Sequence, residues 1–102
     1  MPRRTLVKIT PSTGNVFRDL GFSTEEAEHL LIRSDLMAAA QKAIQRRGLK
    51  QAEAAKILGV RQPRVSDLLR GRIDLFSTDA LIDMLARLGI RVRVVLSRRI
   101  AA

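Results

Sequence analysis

Residues 49–71 read LKQAEAAKILGVRQPRVSDLLRG. Two short amphipathic patterns meet at Gly59, one over residues 51–58 and one over residues 62–69, and the second stops near Gly71. A glycine between two helical patterns supplies the positive φ that a tight connection needs. Pro63 falls in the first turn of the second pattern, where a missing N–H costs little. Ala55 lies where two such helices would cross, and a larger side chain there would push them apart. Val60, Val65 and Leu68 fill the angle between them.

Ala55, Gly59 and Val65 at this spacing form the skeleton of a helix-turn-helix over residues 51–70. That arrangement holds its second helix clear of the body, ready for a DNA major groove about 12 Å wide. The leading end of that helix is polar and cationic. Gln62 and Arg64 are the expected base readers, because glutamine can pair twice with adenine and arginine twice with guanine. Ser66 and Asp67 are further candidates on the same helix. Gln51 opens the preceding helix, where its amide can meet a phosphate. Lys50, Arg61, Arg70 and Arg72 are expected phosphate contacts, which fix register without carrying sequence information.

The charge distribution agrees. The 102-residue chain carries a formal net charge of +9, which implies an anionic partner, nucleic acid before membrane. Residues 46–72 alone hold eight basic and two acidic residues, whereas residues 15–35 hold five acids against Arg18 and Arg33. A general solubilising charge would not segregate in this way.

The flanks read as a mainly α fold of four to five helices with a C-terminal β-strand. Residues 1–14 carry Pro2, Pro11 and Gly14 and read as a flexible arm, in which LVKIT (6–10) can make a short strand. Ser23 and Glu26 are spaced as a capping box at the start of a helix reaching Gly48. Its apolar face is Ala27, Leu30, Leu31, Met37, Ala40 and Ile44, and Ser34-Asp35 resembles a second N-cap that could break it. A last helix starts at Ser77-Thr78-Asp79, turns Leu81, Leu85 and Leu88 inward and stops at Gly89. IRVRVVLS (90–97) alternates branched and basic residues and reads as a strand. Residues 15–97 are therefore expected to make one DNA-binding domain, and residues 98–102 a solvated basic tail. With Phe17, Phe22 and Phe76 the only aromatic residues, the core should be aliphatic.

Several function classes are excluded by what the chain lacks. Without cysteine there is no disulfide, thiolate catalysis or cysteine-ligated zinc, and a cytoplasmic setting fits. His29, the single histidine, reads as a surface or packing residue. No catalytic constellation, metal site or cofactor loop is visible, no apolar run is long enough to cross a membrane, and no enzymatic activity is expected.

Leu49-Lys50-Gln51, Ala55, Gly59-Val60, Gln62, Val65 and Leu69-Arg70-Gly71 resemble the Xre/Cro family of helix-turn-helix regulators, which implies a lambda-repressor-like bundle. Three flanking runs, Asn15 to Gly21, Glu28 to Leu31 and Gly71 to Ser77, are similar to the HigA-like antitoxin branch of that family, as is the closing IRVRVVL. The resemblance implies a dimeric repressor that binds an operator, often its own, and a partner toxin of the RelE/HigB type. The acidic 15–35 segment is then the expected docking surface for that partner. Where such proteins cap the first motif helix with Thr or Ser, this chain has Lys50, giving up a cap of about 1 kcal/mol for a cation near DNA. Two other readings remain: a stand-alone or phage-type repressor without a toxin, and a protein–protein adaptor that has lost DNA binding. The 90–97 strand needs a partner, which can be its symmetry mate, the LVKIT arm or a toxin strand. A pairing that helps to build a homodimer is expected.

Overall fold

The computed structural model describes residues 16–97 and the backbone of Thr5–Ile9. Two strands and five α-helices follow in the order β1 (Thr5–Ile9), α1 (Val16–Asp19), α2 (Thr24–Arg46), α3 (Gln51–Leu58), α4 (Gln62–Leu69), α5 (Thr78–Arg87) and β2 (Ile90–Val94), with a 3₁₀ turn at Ile73–Leu75. The mainly helical class with a C-terminal strand is as expected. The expectations for residues 1–4, for residues 10–15 and for the 98–102 tail fall outside the described residues.

Helix starts follow local chemistry. Ser23 is extended and its Oγ accepts from the Glu26 N–H at 3.2 Å. Ser77 does the same for Ala80 at 3.1 Å. Each satisfies one of the orphan donors of a first helical turn.

α2 is the scaffold. It runs unbroken through Ser34-Asp35, contrary to the expected second N-cap. Leu36 and Met37 directly after that dipeptide are buried, together with Ala40 and Ile44, so continuity seats four residues in the core. The Asp35 carboxyl is pushed above its ordinary value by desolvation. A capping carboxylate fed by backbone N–H donors would be pulled the other way. Leu30 and Leu31, expected on the apolar face, are only half-buried.

The core gathers Leu36, Met37, Ala40 and Ile44 of α2 with Ala54, Ala55 and Leu58 of α3, Val65 and Leu68 of α4, Leu81, Met84 and Leu85 of α5, then Leu88 and Ile90. It is not purely aliphatic. Phe76, only 1% exposed, is among its largest fully buried side chains. It lies in a connecting segment where no periodicity marks the inward positions.

β2 ends at Val94, short of the expected Ser97. Of the three partners considered for it, it takes the N-terminal arm: β1 and β2 pair in parallel, Thr5 opposite Ile90 and Ile9 opposite Val94. A parallel pair cannot close through a hairpin, and here the whole helical body makes the crossover. The pairing brings Thr5–Ile9 beside Ile90–Val94 and, among the described residues, leaves each strand one edge unpaired.

Candidate nucleic-acid interface

The two motif helices are set by their connection. Gly59 caps α3 in the left-handed region at φ 67°, and the Val60 N–H reaches back to the Ala55 carbonyl at 3.0 Å. A Cβ on Gly59 would lie 3.0 Å from Nη1 of Arg87, so the turn packs directly on a guanidinium from α5. Arg87 is itself held by Asp83 at 3.2 Å. Ala55 is buried at the crossing and Val65 is fully buried beneath α4. Gln41 of α2 donates from Nε2 to the Leu68 carbonyl at 2.8 Å, fixing the far end of α4 to the scaffold.

α3 begins at Lys50. An ammonium has no lone pair to offer, so this N-cap makes no side-chain hydrogen bond, although its backbone N–H donates to Glu53 Oε1 at 2.9 Å. The Lys50 side chain is exposed. Gln51 follows in the first turn. α4 begins after Arg61, which is exposed and extended, with Gln62 and Pro63 exposed in its first turn. Gln51, Gln62, Pro63 and Ser66 line one open groove of about 370 Å³. Two glutamine amides from different helices thus converge beside a serine hydroxyl, three groups that can each donate and accept hydrogen bonds.

The arginines divide. Arg61, Arg70 and Arg72 are exposed, and Arg72 lies 3.5 Å from Asp74 in a solvated pair. Asp67 is half-buried, and its carbonyl accepts from the Arg72 N–H at 3.1 Å where the chain leaves α4. Arg64 does not project as a base reader was expected to. Its Nη1 donates to the Leu75 carbonyl at 2.7 Å and its guanidinium carbon sits 3.9 Å above the Phe76 ring. To reach a guanine edge it must give up a cation–π contact of about 0.5–2 kcal/mol and a charge-assisted hydrogen bond of about 1.5–3 kcal/mol. A bidentate base contact returns about 1–3 kcal/mol. The exchange brings no clear gain.

Gln41, Leu75, Phe76 and Arg87 were not singled out from sequence. Two of them carried a faint signal: Gln41 is a polar residue on the apolar α2 stripe between Met37 and Ile44, and Phe76 is the one aromatic residue after Phe22. Among the described residues no group of His, Cys, Asp and Glu could hold a metal ion. None of the described helices is long and apolar enough to cross a membrane.

Known proteins are similar to this chain over most of its length. A family described as a helix-turn-helix domain matches residues 16–97. The solved structure of a protein assigned to the XRE family of transcriptional regulators is 34% identical over 76% of this chain and 91% of that one, with a TM-score of 0.69. No curated protein matches the chain. With its buried Ala55 and Val65, its left-handed Gly59 and its polar leading edge, the chain belongs to the Xre-type helix-turn-helix family of DNA-binding transcriptional regulators.

Proposed function

We propose that the chain is a sequence-specific repressor that lays α4 in the major groove of an operator as a homodimer, and that it serves as the antitoxin and autorepressor of a RelE/HigB-type toxin. The carrying observation for the operator reading is the groove shared by Gln51, Gln62 and Ser66, in a motif whose Arg61, Arg70 and Arg72 are exposed. Gln62 reads base edges, with Ser66 and Asp67 on the same helix. Lys50, Gln51, Arg61, Arg70 and Arg72 bind phosphates. A single module buries too little surface for tight specific binding, so two copies would read half-sites about 34 Å apart. The open edge of β2 is one surface on which copies could meet. The setting is the cytoplasm, and no cofactor or catalysis is required.

Selecting bound sites from random duplexes tests the operator reading. A two-fold related sequence is the expected product, and a pool with no enrichment refutes it. With six phosphates neutralised, affinity should fall about a thousandfold between 50 and 200 mM salt.

The toxin reading rests on the resemblance and on one further observation. Val16, Leu20 and Phe22 are exposed at the start of the helical body, close in sequence to Asp19, Glu25 and Glu26. An apolar surface beside carboxylates suits a basic protein and repels DNA. Co-expression with the small protein encoded next to this chain's gene tests it. A growth-inhibiting neighbour that is neutralised by this chain, but not by a version lacking residues 15–35, supports the antitoxin. Operator binding with no such neighbour favours the stand-alone repressor, and loss of all duplex binding with a retained protein partner favours the adaptor.

A further inference from the structure

We infer that Arg64 is a positioning residue: it latches α4 to the 72–76 turn, so that the reading helix and the phosphate-binding Arg72 meet DNA as one rigid unit.

Three restraints converge on this side chain. Its backbone belongs to the first turn of α4, where the Arg64 N–H donates to the Arg61 carbonyl at 2.9 Å. Its flat face lies 3.9 Å over the Phe76 ring, which is buried and cannot swing away. Its edge donates to the Leu75 carbonyl at 2.7 Å, the last residue of the 3₁₀ turn. An arginine uses its plane and its edge independently, and here both are spent on the same short segment.

Apart from its backbone hydrogen bonds and the packing of Ile73 on the core, that segment has little side-chain support. A 3₁₀ turn of three residues carries few internal hydrogen bonds. Ile73 is half-buried, while Asp74 and Leu75 are exposed. Arg72 stands at its start: its N–H donates to the Asp67 carbonyl at 3.1 Å and its carbonyl accepts from the Leu75 N–H at 3.1 Å, while its guanidinium meets the exposed Asp74. Without the latch, Phe76 and the backbone bonds of the turn would still set its path, but the Leu75 carbonyl would lose the Arg64 donor and the exposed face of the turn, with Arg72 on it, would be held less tightly. A phosphate contact made from a loosened turn must order it on binding, which weakens the contact. Arg64 therefore acts on DNA through Arg72, and base reading falls to the amides lining the groove. Lysine cannot replace it, since a single ammonium cannot stack flat and donate along an edge at once.

This inference rests on the DNA-binding role, and its test separates the two. The probes are a duplex selected from a random pool and a scrambled duplex of the same composition, each titrated with the full chain. Arg64→Lys should weaken both duplexes alike, by about tenfold, and leave preference at every base position as in the parent. Arg72→Ala should weaken the parent by about tenfold but an Arg64→Ala background by less than about threefold, because the second loss has already happened. Amide exchange at residues 73–76, measured without DNA, should quicken in Arg64→Lys. Melting temperatures identify any variant that fails to fold, and Arg64→Lys carries the test if Arg64→Ala does. A general loss of stability would not make the effects of Arg64 and Arg72 on DNA interdependent. The latch is overturned if Arg64→Lys changes preference at one base pair, if the Arg64 and Arg72 losses multiply independently, or if exchange in the turn is unchanged. If no duplex is selected at all, the operator reading fails, while the exchange experiment still decides whether the latch exists.

Discussion

The two ends of α2 live in different surroundings. From Leu36 onward its inward residues are buried against α3, α4 and α5, and side chains tie the elements together: Gln41 to Leu68, Arg47 to Leu88 at 3.4 Å, Arg64 to Leu75. Among the described residues before Leu36 only Ala27 is buried, and Val16, Leu20 and Phe22 are exposed. α2 has 23 residues and so spans about 34 Å. One scaffold helix thus carries a tightly packed reading unit at one end and an under-packed acidic cap at the other. Rigidity is concentrated where contact geometry must be held, because a reader displaced by a fraction of a hydrogen-bond length loses its base. The other end keeps large apolar side chains exposed.

Truncating the centre of the packed end tests that contrast most severely. Phe76→Ala should destabilise the chain by about 3–5 kcal/mol, since the ring is fully buried and its removal leaves a cavity. It also removes the platform under Arg64, so DNA affinity should fall even at temperatures where the variant is folded. Calorimetry and duplex titration on one sample check both. A melting temperature unchanged within a degree would mean that the reading end is not the rigid one.

Phe76 also marks the limit of what the sequence discloses. Gly59, Pro63, Ser23 and Ser77 act within a few residues of themselves, and each was legible with its role. The helices on either side of Gly59 were legible to the residue for the same reason. What escaped depends on distant partners. Nothing near Ser34-Asp35 announces that Leu36 and Met37 will be claimed by helices not yet met along the chain. IRVRVVL leaves three partners open, and that its ladder runs to the arm some 85 residues upstream, in register from Thr5 to Ile90, is decided by the fold between them. Arg64 reads as free in the sequence because its carbonyl partner, Leu75, lies eleven residues further on and its ring, Phe76, the residue after that. Composition marks a basic run over 46–72, but whether a given arginine faces solvent or folds back is decided in three dimensions.

Within the reading end, readers and scaffold should separate by the kind of loss they cause. Gln62→Ala should leave the melting temperature unchanged within a degree or two. It should cost about 1–3 kcal/mol of discrimination at a single base position. Binding-site selection repeated with the variant checks this, and full retention of the parent preference would remove Gln62 from the readers.

Gly59→Ala sharpens the comparison from the structural side. A side chain in the left-handed region costs about 1–2 kcal/mol, and the new Cβ would press on the Arg87 guanidinium at 3.0 Å. Because that contact is the mobile end of a long side chain, Arg87 can yield and most of the loss should be backbone strain. A denaturant midpoint shifted by that amount, with discrimination between duplexes intact, is the expected result. Lost discrimination would mean that the angle between α3 and α4 is softer than their packing implies.

The smallest effect belongs to the other end. Leu20 is 69% exposed, and its N–H closes the short α1 turn on the Val16 carbonyl at 3.2 Å. That bond uses the backbone alone, so Leu20→Ser leaves it in place. The stability change should fall within about 0.5 kcal/mol, with duplex affinity equal to the parent's because the substitution lies at the end of α2 remote from the motif. If Leu20→Ser instead lowered the melting temperature by several degrees, the residue would already be packed in solution against another part of the chain or a second copy. The acidic cap would then be a built part of the fold, and the asymmetry along α2 would lose its functional meaning.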